Sequence, residues 1–96
     1  MTRLEFTPAA LDDLERLTRF LLESDTQAAI ETSALIFEAV EVLARFPRIG
    51  RKGRDGLREL VISRRRSAYL ALYQFDELLD TVLVLAVRHQ READYN

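Results

Sequence analysis

The chain has 96 residues, 48% of them hydrophobic and 31% charged, with a formal net charge of -2 at pH 7. This length predicts one small domain with a single core. Without cysteine and with His89 as its single histidine, the sequence excludes disulfides and multi-histidine metal sites, and we expect no metal or cofactor. Because it shows neither a secretion signal nor a membrane-spanning apolar stretch, we expect a cytoplasmic protein that does not contact membranes.

The chain begins with the pattern of a short strand, residues 3–6, that leads into a helix. Thr7 and Pro8 predict the helix start, because threonine caps helices and proline is favoured at the first helical position. The helix is expected to extend to about Glu23. Apolar residues at three- and four-residue spacing predict its buried stripe. These residues are Leu11, Leu14, Leu17, Phe20, Leu21 and Leu22.

A second helix is predicted a few residues later. Ser24 and Asp25 can cap it, and Pro47 and Gly50 end it. Its apolar stripe consists of Ile30, Ala34, Phe37, Val40, Leu43 and Ala44. Two helices of this length with so short a connection predict an antiparallel hairpin.

Positive charge is concentrated in residues 48–66, where eight cationic side chains against Asp55 and Glu59 give a local charge of +6. The eight are Arg48, Arg51, Lys52, Arg54, Arg58, Arg64, Arg65 and Arg66. In a mildly acidic protein, such a segment is expected to face an anionic partner, the alternative being a solvated loop. The triple arginine is the strongest candidate, because adjacent like charges repel and add nothing to the stability of the isolated fold.

The remaining sequence predicts a three-stranded antiparallel meander, with strands at residues 57–63, 68–75 and 81–88. Tyr69 and Tyr73 share one apolar face of the middle strand, and Leu70 and Leu72 share the other. One face should pack on the helices, and the other should be covered by a partner or the C-terminal tail, or be an exposed binding surface. The expected fold class is α+β, in which the N-terminal strand joins the meander in one twisted sheet of undetermined strand order.

Four segments carry a resemblance to a known family: FPRIGR at residues 46–51, LRELVI at 57–62, YLALY at 69–73 and VRHQRE at 87–92. Together with the order of elements, they resemble the RelE/ParE superfamily of bacterial type II toxin–antitoxin toxins, also called plasmid stabilisation proteins. The resemblance implies a growth-inhibiting toxin that is neutralised by a cognate antitoxin. It also implies contact with promoter DNA only through that antitoxin.

The resemblance implies two alternative targets. ParE-like members poison DNA gyrase and have no known catalytic site, whereas RelE-like members cut mRNA in the ribosome. RNA cleavage requires a base for the 2'-hydroxyl, cations for the phosphate and an acid for the leaving oxygen. If this chain cuts mRNA, the candidates are His89, Arg58, Arg88 and Tyr95.

The residues favour gyrase poisoning without catalysis. The predicted strands carry few cations, and Gln90 follows His89 where RNA-cutting relatives can have a terminal histidine–tyrosine pair. Target binding is then expected from the cationic side chains Arg51, Lys52, Arg54, Arg58, Arg64, Arg65, Arg66, Arg88 and Arg91. A third reading is an inactive member that binds antitoxin and only modulates promoter binding.

Overall fold

The structure is a computed structural model that describes residues 1–95, and it confirms the predicted α+β fold. The strands are β1 (Arg3–Phe6), β2 (Arg51–Lys52), β3 (Arg58–Arg64), β4 (Ser67–Asp76) and β5 (Thr81–His89). The helices are α1 (Pro8–Leu22) and α2 (Thr26–Glu41), and two short 3-10 segments follow at Val42–Ala44 and Arg54–Gly56. None of the helices in the described part of the chain is long and apolar enough to span a membrane.

The strands form one sheet in the order β1-β5-β4-β3-β2. β1 pairs with β5 in parallel, and the other pairs are antiparallel. The parallel pairing follows from the connection, because the helical hairpin carries the chain away from β1 before the meander begins. β2 was not predicted, because its two residues are too few to show a strand period.

The predicted helix caps are present in the structure. The Thr7 hydroxyl accepts a hydrogen bond from the Ala10 amide at 3.1 Å, and the Asp25 carboxylate accepts one from the Ala28 amide at 3.0 Å. The second helix ends earlier than its proline and glycine predicted. Its last turn tightens into the 3-10 segment Val42–Ala44 before the chain enters the connector.

The helical hairpin packs on one face of the sheet, and the predicted stripes were too wide. Leu14 and Leu17 are buried, but Phe20, Ile30 and Phe37 are exposed. A helix lying on a sheet contacts it along one narrow face, so apolar residues on the flanks stay in solvent. The other predicted stripe residues found exposed are Leu11 and Leu22.

The aromatic face of β4 lies in the core and not on the surface. Tyr69 and Tyr73 are buried against the helices, which removes this face as a binding surface. On the opposite face, which we call the outer face, Leu70 is also buried and Leu72 is half-buried. The C-terminal residues 90–95 lie over the outer face, where the Tyr95 ring contacts Arg88.

β5 contains a bulge at Leu85. Leu72 of β4 pairs with Ala86, whereas the next residue, Tyr73, pairs with Val84, so Leu85 has no partner in β4. The bulge is held by α1, because Thr7 donates its amide to the Val84 carbonyl at 3.0 Å and its hydroxyl to the Leu85 carbonyl at 3.1 Å. As a result, Val84 and Val87 both point into the core.

Asp13 joins α1 to the free edge of β5 beyond the end of β1. Its buried carboxylate accepts a hydrogen bond from the Val87 amide at 2.9 Å and pairs with Arg16 at 3.3 Å. The side chain thus supplies the acceptor that a neighbouring strand would provide, which fixes α1 against the C-terminal half of β5.

Candidate functional site

The cationic segment does not form one surface in the structure. We call Arg51, Lys52 and Arg54 the connector patch, and Arg64, Arg65 and Arg66 the hairpin patch. β3 runs between them, so they lie at opposite ends of a seven-residue strand. At about 3.3 Å per residue, this separation is roughly 20 Å.

Arg58 lies beneath the connector and has a structural role. Its guanidinium donates to the carbonyls of Arg48 and Gly50, both at 2.9 Å. The buried Tyr73 hydroxyl accepts from the Gly50 amide at 2.9 Å and donates to the Pro47 carbonyl at 2.8 Å. These bonds hold residues 47–50 in one position, so the connector patch that follows is presented on a fixed base.

In the hairpin patch, Arg64 differs from its two neighbours. Arg64 pairs with Glu31 of α2 at 3.2 Å, whereas Arg65 and Arg66 are exposed, and within residues 1–95 their side chains form neither a hydrogen bond nor an ion pair. Hydrogen bonds from Gln27 and Arg64 lower the pKa of Glu31. Arg65 also has a φ of 53°, in the left-handed region that favours glycine. An arginine at this position sacrifices stability for an exposed charge.

The four candidates for RNA cleavage do not come together in one site. His89 faces the helices, edge-on to Tyr69 with ring centroids 5.1 Å apart. Arg58 lies at the other end of that same face, because it pairs with Tyr73 four residues further along β4. Arg88 and Tyr95 meet on the outer face, with the guanidinium 5.1 Å from the ring centroid.

Glu59 on the outer face was not among the predicted site residues. The Tyr95 hydroxyl donates to its carboxylate at 2.5 Å, and Arg51 forms an ion pair with it. Burial raises the pKa of Glu59, but the bonds from Tyr95 and Arg51 outweigh it and lower the pKa overall. Burial and the Glu59 carboxylate together raise the pKa of Tyr95. The phenol is therefore a proton donor to an ionised carboxylate at neutral pH. Strand alternation was the available signal, because it places Glu59 opposite Arg58.

Arg88 organises the C-terminal segment. Its Nη1 donates to the carbonyl of Glu92 at 2.6 Å, and more weakly to those of His89 and Gln90, both at 3.4 Å. Arg91, by contrast, is exposed beside the hairpin patch. No group of three or more histidine, aspartate and glutamate side chains in residues 1–95 is placed to hold a metal ion.

His89 is neutral at physiological pH. Burial lowers its pKa from 6.5, the nearby Arg91 charge lowers it further, and Glu92 offsets part of this effect. Its Nδ1 accepts a hydrogen bond from the Arg91 amide at 3.0 Å, which an imidazolium could not do.

A pH titration of stability tests this assignment. Because the folded protein binds a proton at His89 less readily than the unfolded chain, stability is lost as the pH falls below about 6.5. We expect Tm to fall between about pH 7.5 and pH 5.5, and to fall less in His89→Gln. Equal decreases in the two proteins would assign the effect to other groups.

The chain was compared with known proteins. The model of the family described as "ParE toxin of type II toxin-antitoxin system, parDE" matches residues 4–94. The chain is 33% identical over 92 residues to "Toxin RelE3" of Caulobacter vibrioides, covering 96% of this chain and 98% of the relative.

Solved structures share the fold. The chromosomal ParDE toxin–antitoxin system of P. aeruginosa contains a chain with a TM-score of 0.74 and 20% identity, covering 93% of this chain and 96% of that one. The RelBE2 complex of Mycobacterium tuberculosis gives a TM-score of 0.66 at 28% identity, covering 93% and 98%. The first likeness supports the fold alone. Both solved assemblies are toxin–antitoxin systems.

Proposed function

The chain belongs to the ParE toxin family of type II toxin–antitoxin systems, and on that premise we propose that it arrests growth by poisoning DNA gyrase. One observation carries the choice of target: the acid–base candidates are divided between the two faces of the sheet. His89 faces the helices, whereas Arg88 and Tyr95 lie on the outer face.

Cleavage of RNA would require a base, an acid and a cation within reach of one phosphate. Tyr95 and His89 cannot share a substrate across the sheet. The guanidinium groups of Arg58 and Arg88 are committed to backbone carbonyls, which leaves them poorly placed to follow a developing negative charge. These contacts favour a protein that acts by binding.

We assign target binding to the exposed cations of both patches. Lys52, Arg54, Arg65, Arg66 and Arg91 are exposed, and their charge suits acidic protein surface or the phosphates of gyrase-bound DNA. Arg51, Arg58, Arg64 and Arg88 contribute by positioning these segments, since each already has a partner within the chain.

The proposed second partner is a cognate antitoxin, as in the ParDE and RelBE systems that share this fold. The antitoxin neutralises the toxin, and contact with promoter DNA occurs only through it. The two patches give an acidic antitoxin segment the same opposite charge that they give the target.

Ribosome-dependent mRNA cleavage is the second candidate, because one set of groups on the outer face could support it. Glu59, Arg51, Arg88 and Tyr95 lie together there. The ionised Glu59 carboxylate could accept a proton, and the arginines could bind phosphate.

A supercoiling assay with purified, antitoxin-free protein tests the proposal by scoring lost supercoiling and accumulated cleaved DNA. Dose-dependent inhibition with cleaved DNA supports gyrase poisoning. Growth arrest without effect on gyrase would transfer the activity to mRNA cleavage. Absence of any arrest would indicate an inactive member that binds only antitoxin.

The variant Tyr95→Phe separates the two candidates in cells. It removes the hydroxyl that donates to Glu59 but keeps the ring that contacts Arg88. Under gyrase poisoning we expect unchanged growth arrest upon induction without antitoxin, measured by colony counts. Loss of arrest by a folded Tyr95→Phe protein would favour catalysis on the outer face.

A further inference from the structure

A cleft with a volume of about 560 Å³ lies between α1 and the adjoining ends of β4 and β5. We call it the α1 cleft. Leu17, Phe20 and Leu21 form its wall on the helix, and Tyr69 and His89 line it on the sheet. Phe20 is 71% exposed, an unusual position for a phenylalanine unless a partner covers it.

The cations inside the α1 cleft already have partners. Arg16 pairs with Glu92 at 2.7 Å and with Asp13 at 3.3 Å, and Arg64 pairs with Glu31 at 3.2 Å. The interior therefore offers an apolar surface bordered by neutralised charge.

Uncompensated positive charge lies at the rim of the cleft. Arg91 lines it, is exposed, and within residues 1–95 its side chain forms neither a hydrogen bond nor an ion pair. The hairpin patch adjoins this rim, because Gln90 donates to the Arg66 carbonyl at 3.4 Å. Arg65, Arg66 and Arg91 thus surround one side of an apolar opening. We call these three residues the cationic rim.

We propose that the α1 cleft binds an acidic segment of the antitoxin that inserts one large apolar side chain against Phe20. Carboxylates on either side of that side chain lie against the cationic rim. This inference rests on the proposed function, from which it takes the antitoxin as partner, and it adds the site and the chemistry of the bound segment.

The composition of the cleft favours a peptide over nucleic acid. A phosphate inside would lose water without meeting a free cation, because Arg16 and Arg64 are already paired. An apolar side chain instead displaces water from Leu17, Phe20 and Leu21, while its acidic neighbours remain in the solvent-exposed rim where screening is moderate.

Occupation of the cleft also explains how neutralisation could occur. Arg65 and Arg66 belong both to the cationic rim and to the proposed target-binding surface. A segment seated in the cleft covers them, so antitoxin and target compete for the same two side chains.

The test uses antitoxin co-expressed from the same operon, purified and titrated calorimetrically into antitoxin-free toxin. Phe20→Ser should weaken binding about tenfold or more, as truncation of a central apolar anchor does. The matched control is Ile30→Ser, which removes another exposed apolar residue, 59% exposed on the hairpin outside the cleft. We expect the control to bind like the wild type and both variants to keep the wild-type thermal transition.

A charge pair provides a second measurement. Arg91→Glu should weaken binding and reduce its salt dependence, whereas Arg45→Glu, with the same charge change at an exposed arginine outside the cleft, should leave both unchanged. If Phe20→Ser binds normally, the cleft is not the site. If Ile30→Ser alone loses affinity, the segment lies on the outer surface of the hairpin instead.

Failure of the cleft and failure of the proposed target are separable. Loss of antitoxin binding in Phe20→Ser, together with wild-type toxin that does not inhibit gyrase, would keep the cleft and reject the gyrase proposal. Gyrase inhibition by the wild type with normal antitoxin binding in Phe20→Ser would do the reverse. Wild-type toxin that does not bind the antitoxin would overturn the cleft proposal.

Discussion

Replacing Arg64, Arg65 and Arg66 together with alanine is expected to abolish growth arrest and to leave the protein folded. If each cation contributes on the order of 1 kcal/mol to the target contact, the triple variant binds on the order of a hundredfold more weakly. The cost to the fold is small, because only Arg64 has an ion pair, and that pair is partly exposed. We expect a change of a few degrees in Tm.

The matched control replaces Arg3, Arg19 and Arg45 with alanine. These three arginines are also exposed, so the net charge changes equally, but they lie outside both patches. Induction in cells without antitoxin should show arrest by the control and growth with the hairpin-patch variant. Arrest by a folded hairpin-patch variant would reject this turn as a target contact.

Gly50→Ala is expected to cause the largest loss of stability, about 3 kcal/mol, or roughly 10–20 °C in Tm. A Cβ at Gly50 would lie 2.6 Å from both Cε1 and the hydroxyl oxygen of Tyr73, and 3.0 Å from the Glu59 carbonyl oxygen. Tyr73 cannot retreat, because it is fully buried and its hydroxyl is bonded to the connector on both sides. Thermal and urea unfolding measure the effect.

Gly53→Ala is the control for this substitution. Gly53 has a φ of -123°, and the nearest atom to an added Cβ is the Leu57 carbonyl oxygen at 3.6 Å, an ordinary contact. Stability should be unchanged or slightly increased, because alanine restricts the unfolded chain. Equal stability of the two alanine variants would show that the connector can move away from Tyr73.

Local signals in the sequence were sufficient for the elements of the fold. Thr7 and Asp25 cap the two helices as predicted, because capping depends on atoms within three residues. The parallel pairing of β1 with β5 joins residues 78 positions apart, such as Arg3 and Thr81, and no local period encodes it. The resemblance to a family supplied the architecture that periodicity could not.

The candidate site was less predictable because it depends on direction and on distant contacts. Charges that are neighbours in sequence were expected to form one surface, but an extended strand separates Arg58 from Arg64. The roles of Arg58 and Arg88 as donors to carbonyls could not be seen in the sequence, because they depend on where the connector and the C-terminal segment fold back. The α1 cleft combines Phe20 with Arg91 for the same reason.

The unpaired Leu85 has a consequence for how relatives of this protein should be aligned. Deleting that one residue would restore regular alternation in β5, and Arg88 and His89 would exchange faces. Two homologues with an identical arginine–histidine pair could then present opposite groups to their targets. Homologues should therefore be grouped by strand register in this segment before any functional residue is transferred between them.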